Sequence, residues 1–232
     1  MPAPTRWIHI SERPGTQWVH PIWRAINAAV AGGAVGRTPA PMSKLGAHIT
    51  TRLNIVPIAW RKATDQANSL IEYVSQRAGP ENSYRQERPA YAVVMSMAPV
   101  YHFILAFHSA LFETHAAVEL MRNFLGRARR HTNKLMAGSL KQDFKDGIAQ
   151  NGGDNTWCDA LEAARGFFTH QGSAYVAIDA STRNRDLLLM KENIHEFSDP
   201  ATYLRFSEII RIAVGFERSF APLQRYISAL YV

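Results

Sequence analysis

The chain has one cysteine, Cys158, which excludes an intrachain disulfide and any zinc cage built from cysteines. Stability must come from burial, and a reducing, cytoplasmic location is expected. Phosphate-binding loops are missing as well. There is no G-x-x-x-x-G-K followed by Ser or Thr and no strand-linked G-x-G-x-x-G, and Gly32-Gly33-x-x-Gly36 lacks both the lysine and the spacing. Neither G-x-S-x-G nor H-E-x-x-H occurs, which removes the common hydrolase and zincin signatures. The opening residues, MPAPTRWIHISERPG, have no basic stretch leading into an apolar run, so no secretory signal is expected.

Residues 90–112 contain no Asp, Glu, Lys or Arg, over a length that would span a bilayer. Ser96, Pro99, His102, His108 and Ser109 interrupt the stretch, and its apolar periodicity continues past Glu113, so a buried core helix is expected rather than a membrane span. Hydrophobic residues make up 47% of the chain and charged ones 19%, enough apolar content for a packed core and too much for a disordered chain. The charge balance is basic, 26 Lys+Arg against 19 Asp+Glu, with 20 arginines. Arginine presents a planar fork of donors that matches phosphate oxygens, so RNA or a nucleotide is the expected partner class.

Prolines and glycines break residues 1–56, where the pattern supports only a short helix near Gln17 to Val30. From Ile58 to about Arg77 the positions Trp60, Ala63, Ala67, Leu70, Ile71 and Val74 recur at helical spacing, with Pro57 in the first turn. A turn-rich connector, Ala78 to Pro89, then marks a boundary. Residues 1–90 are expected to be a helical extension of unassigned role, and residues 91–232 the main helical domain. In that domain Val100, Ile104, Phe107, Leu111, Phe112, Val118, Met121, Phe124 and Leu125 form the apolar stripe of a long helix. A second helix starts near Asn155 or Thr156, runs through Trp157, Leu161, Ala164 and Phe168, and is stopped by Gly172. Two short apolar runs, Ala174 to Ile178 and Leu187 to Met190, predict a hairpin. Asp199-Pro200 predicts the start of a final helix with Pro222 near its end. The expected class is mainly α: a helical bundle with a small β-hairpin before the last helix.

Three places carry candidate chemistry. His108, His115, Glu119 and Arg122 lie along one side of the long helix; they read as polar groups meeting another helix or a partner chain, and no metal site or other cofactor is expected. The segment from Arg122 to Lys145 holds seven Lys/Arg and one Asp. Arg127, Arg129, Arg130 and Lys134 within it are the candidate RNA contacts, against the alternative of a solvated loop. The third is RGFFTHQG, Arg165 to Gly172, an arginine followed after four residues by His170. Arg-x(4 to 6)-His is expected about twice by chance in a chain of this composition, and it occurs twice, the other match running from Arg13 to His20.

The second match stands at the end of a helix that follows a long helix and a loop, with a glycine just beyond. In this setting LEAARGFFTHQGSAY, Leu161 to Tyr175, resembles the motif region of the HEPN superfamily, helical bundles with an Arg-x(4 to 6)-His motif near the end of the third helix. The resemblance spans about residues 95–230, and the hairpin and long C-terminal helix are similar to one bacterial branch of the superfamily. It implies a HEPN-like fold, a homodimer with a composite site, and metal-independent RNA cleavage of the toxin or defence type. His170 would move a proton at the ribose or leaving oxygen, and Arg165 would bind the scissile phosphate. Glu113 and Thr169 are the supporting polar groups. Gly166 stands where family members usually carry a polar residue, which favours the alternative of a non-catalytic module binding a nucleotide or protein. The His-x-Tyr extension of toxins silenced at that tyrosine is absent, so no particular neutralising partner is implied. Apart from the resemblance, Arg165 has an intrachain alternative, pairing with Glu162 or Glu113, and His170 another, as a cation at a helix C-terminus. An unrelated helical structural protein is the third reading.

Overall fold

A computed structural model describes residues 18–77, 96–134, 138–170, 175–180, 185–190 and 199–232, the side chains of Thr169 and His170 excepted. The described residues are mainly α-helical, with helices α1 (Val19–Ala31), α2 (Ala40–Arg77), α3 (Ala98–His131), α4 (Leu140–Gln150), α5 (Thr156–His170), α6 (Phe206–Arg218) and α7 (Phe220–Ala229). An antiparallel sheet of β1 (Tyr175–Asp179), β2 (Asp186–Met190) and β3 (Tyr203–Arg205) lies between α5 and α6 in the order β1-β2-β3.

α3 is the axis of the fold. Phe103, Phe107, Val118, Met121, Phe124 and Leu125 on its buried side meet residues from α1, α2, α4 to α7 and the sheet in one hydrophobic cluster. That cluster includes Ile22, Ile26, Ile49, Leu53 and Ala63, so the core runs continuously to both sides of residue 90, and the connector expected around it lies outside the described residues. The buried Trp60 indole donates to Thr114 Oγ1 at 2.9 Å, pinning α2 to α3. α1 packs chiefly on α7. There Trp18 Nε1 donates to the Phe220 carbonyl at 2.8 Å, and Gln224 Nε2 donates to the Trp18 carbonyl at 2.5 Å.

Several elements depart from the sequence reading. α2 begins at Ala40 and passes through Pro57 rather than starting there. Its buried face, Met42, Gly46, Ile49, Leu53, Val56, Trp60, Ala63, keeps helical spacing across the proline. Pro57 itself is exposed, outside that buried face. Gly46 lets α1 and α2 approach, since a Cβ there would stand 2.9 Å from Trp23 Cζ2. Phe112, assigned to the buried stripe, points outward. The cap of α5 is Asp154, which accepts from the Thr156 backbone N–H at 2.9 Å; that bond holds its carboxyl below the usual range. Gly172, the expected stop, lies outside the described residues. Asp199 caps a single 3-10 turn, Pro200–Thr202, and not a helix. The hairpin is present as expected, but β3 joins it, and the final helix is divided at Ser219 into α6 and α7.

The charge-free stretch ends as the start of a core helix, since α3 continues through Glu113, Glu119 and Arg122. Among the described residues no helix is long and apolar enough to cross a membrane.

Candidate functional site

α5 runs antiparallel along one side of α3, and the contacts step regularly: Glu162 meets Arg122, Arg165 meets His115, and Phe168 meets Phe107 and His108. The regularity follows from helix geometry, since residues three and four apart share a face on each partner.

At the inner end Arg122 is almost fully buried. It donates to Glu119 at 2.8 Å and to Glu162 at 3.1 Å, with its guanidinium 5.4 Å from the Phe144 ring centroid. Glu162 also accepts from Lys141. The Arg122–Glu162 pair fixes the register of α5 on α3. Cys158 sits behind them, its thiol pushed up to about 12 by burial, which makes it an inert packing group.

One turn further along, Arg165 is exposed, and its Nη1 lies 3.2 Å from His115 Nε2. A guanidinium only donates, so His115 Nε2 must be the accepting, unprotonated nitrogen and Nδ1 the one bearing hydrogen. Burial lowers the His115 pKa from its ordinary value, and the Arg165 charge lowers it further. The imidazole is therefore neutral near pH 7. His108 is also lowered, by burial, and its ring stands 5.1 Å from that of Phe168. Gly166 has open space where a Cβ would be, so the helix surface beside Arg165 accommodates a side chain.

The sequence-predicted residues divide as follows. Thr169 and His170 are the last two residues of α5, and their side chains lie outside the described set. α5 is unbroken from Thr156 to His170, so positions 165 and 170, five residues apart, are separated by about 140° around its axis. Glu113 forms an ion pair with Arg52 of α2. The basic segment is not a loop: its described residues belong largely to the last turns of α3 and to α4. Arg127, Arg130 and Lys134 are exposed there. Arg129 is half-buried, unlike these three. It bonds Asp143 at 2.6 and 3.1 Å and also Tyr226, whose hydroxyl donates to the same carboxylate at 2.6 Å. This group ties α3, α4 and α7 together, and recruiting Arg129 to a phosphate would strand a buried Asp143. Tyr226 is pushed up to about 12, mainly by burial.

Two features escaped the sequence reading. The first is the pairing of His115 with Arg165, since periodicity assigns a face to each helix but not which faces meet. The second is an exposed stripe on α3. Met97 just before the helix, then Tyr101, Leu105, His108 and Phe112, follow at steps of four, four, three and four residues, with the half-buried His115 three further on, so all share one side. Leu105 is 69% exposed and Phe112 65%. The step pattern was present in the sequence; its outward orientation was not. Among the described residues no group of three or more His, Cys, Asp or Glu is placed to hold a metal ion.

Comparison with protein-family models, curated proteins and solved structures gives no significant match.

Proposed function

We propose that this chain is a HEPN-like, RNA-acting protein of the cytoplasm, a metal-independent endoribonuclease of the toxin or defence type whose Arg165 and His170 form a composite site between two copies. The observation that carries this reading is the exposed Arg165 guanidinium on α5, beside a neutral imidazole and next to an apolar stripe on α3. Arg165 binds the scissile phosphate and stabilises charge on its oxygens. His170 transfers a proton to or from the ribose hydroxyl or the leaving oxygen. The separation of positions 165 and 170 around α5 favours a two-fold arrangement, in which each copy brings its own Arg and His to a shared cleft. Tyr101, Leu105 and Phe112 supply apolar surface for that contact. Arg127, Arg130 and Lys134 would track the RNA backbone.

A second reading, a non-catalytic module that binds a nucleotide or a protein, is favoured by Gly166 in place of a polar residue. Incubating wild type, His170→Ala, Arg165→Ala and Arg13→Ala with a mixed RNA pool in EDTA separates the two. Fragments ending in 2′,3′-cyclic phosphate from wild type and Arg13→Ala alone are the expected result. Absence of cleavage by wild type together with retained nucleotide binding would favour the module.

A further inference from the structure

We propose that the α1–α2 loop completes a face that binds the RNA backbone, with Arg37 as a phosphate contact beside Arg127, Arg130 and Lys134. The inference rests on the RNA-binding part of the reading above, and it gives the N-terminal region a task that its sequence pattern left unassigned.

The loop, residues 32–39, lies against the end of α3. His131 Nε2 is 2.9 Å from the Gly36 carbonyl, and because a carbonyl only accepts, that nitrogen donates. His131 Nδ1 lies 3.2 Å from the Tyr231 hydroxyl, so the last turn of α3, the loop and the segment after α7 meet at one imidazole. Arg37 follows Gly36 directly. On α3, Arg130 precedes His131 and Arg127 stands one turn before it, while Lys134 comes just after the helix. Cations far apart in the sequence therefore gather at one end of the fold.

The charge gathered there is of one sign. No Asp or Glu occurs from Trp18 to Thr64, and none from Leu120 to Lys134. Arg37, Arg127, Arg130 and Lys134 are exposed, and none forms an ion pair with a described residue. By contrast Arg52, Arg122, Lys141, Lys145 and Arg205 each meet a carboxylate. Asp143, on the adjoining α4, is buried and taken by Arg129 and Tyr226. The helix dipole accounts for Arg130, since a cation is favoured at a C-terminus. It does not account for Arg37. That residue stands three ahead of Ala40, where the N-terminus of α2 disfavours a cation and no acidic residue occupies the first turn. An external anion fits the position.

The surface suits a phosphodiester backbone better than a membrane. Among the described residues the exposed large apolar side chains lie elsewhere, and only Val232, next to Tyr231, comes near. No exposed Phe, Tyr or Trp stands at this end to stack on a base or enter a bilayer. Contact is then through phosphates alone, which makes binding indifferent to base sequence and steeply dependent on salt.

The test uses a 2′-O-methyl RNA of about 20 nucleotides, long enough to cross a site of this kind. It lacks the hydroxyl that cleavage needs, so binding is read apart from activity. Fluorescence anisotropy against salt compares wild type, Arg37→Ala, Arg127→Ala and Arg211→Ala, the last removing an exposed cation from α6. Arg37→Ala should make the slope of log K against log salt shallower by about 0.7 and weaken binding about fivefold at about 0.1 M salt. Arg127→Ala should do the same, and Arg211→Ala neither. Unchanged melting temperatures would show that a contact was lost and the fold kept. An Arg37→Ala slope equal to wild type, failure of wild type to bind the probe, or binding to phosphatidylserine vesicles in place of RNA overturns the inference. The ribonuclease reading is scored separately on unmodified RNA. Cleavage with an unaltered Arg37→Ala slope removes only the role of Arg37, whereas binding through Arg37 without cleavage removes only the ribonuclease.

Discussion

Arg165 and His115 face each other across the α3–α5 seam, with Nη1 and Nε2 3.2 Å apart, although 50 residues separate them in the chain. The contact depends on the antiparallel register of the two helices, which the Arg122–Glu162 pair fixes about one turn away. A change that shifts α5 along α3 therefore disturbs the site without touching either residue.

Gly166 occupies the interior of α5 with nothing within 4 Å of a built Cβ. Glycine in a helix costs about 0.5–1 kcal/mol relative to alanine. Gly166→Ala should raise stability by that amount in chemical denaturation of the separated chain. A decrease would mean that another copy packs closely against this position.

The outward stripe on α3 predicts self-association. Leu105→Glu and Phe112→Glu should convert a dimer to monomers in sedimentation experiments. Because both side chains are solvent-exposed within one copy, the stability of that copy should change by no more than about 0.5 kcal/mol. A wild-type chain that sediments as a monomer at all concentrations would remove the stripe from the composite-site argument.

Arg129→Ala leaves Asp143 buried without its cation, which should cost about 3–5 kcal/mol of folding stability. Replacing both partners together, Arg129→Met with Asp143→Leu, should be milder, because neither charge is then stranded. Equal losses in the single and double variants, measured by urea unfolding, would contradict this account.

Stability should fall with acid in the range just below neutrality. His108 and His115 have pKa values lowered from the ordinary 6.5. The unfolded chain therefore takes up these protons first as pH drops. Their contribution is fully present above about 6.5 and is lost between there and the lower, folded values. The pair His108→Gln and His115→Gln should flatten that part of the stability profile, as followed by unfolding midpoints from pH 7.5 to 5.

The sequence made the helical class legible because faces are written in periodicity: Phe107, Leu111, Val118 and Met121 recur at helical steps, and all are buried. Turn chemistry located the β1–β2 hairpin in the same way. Periodicity failed where a local rule was overridden by packing. Pro57 is a helix starter by propensity, yet the face that runs from Met42 to Leu70 carries α2 straight past it. Three residues are too few to show alternation, so β3 left no signal. For the candidate site, RGFFTHQG drew attention to Arg165, which lies on α5. It gave no view of His115, since which helix lies beside which is decided by long-range packing. Charge alone also did not separate Arg129, held by Asp143 and Tyr226, from its exposed neighbours Arg127 and Arg130.

The clasp between Trp18 and α7 orders events during synthesis. Trp18 bonds to Phe220 and Gln224, more than 200 residues later, so α1 waits for a helix that is made long after it. Until α7 emerges, Ile22 and Ile26 lack the partner against which α1 chiefly packs. Such a surface must be shielded while the ribosome works, and a chain released before residue 220 would retain it uncovered.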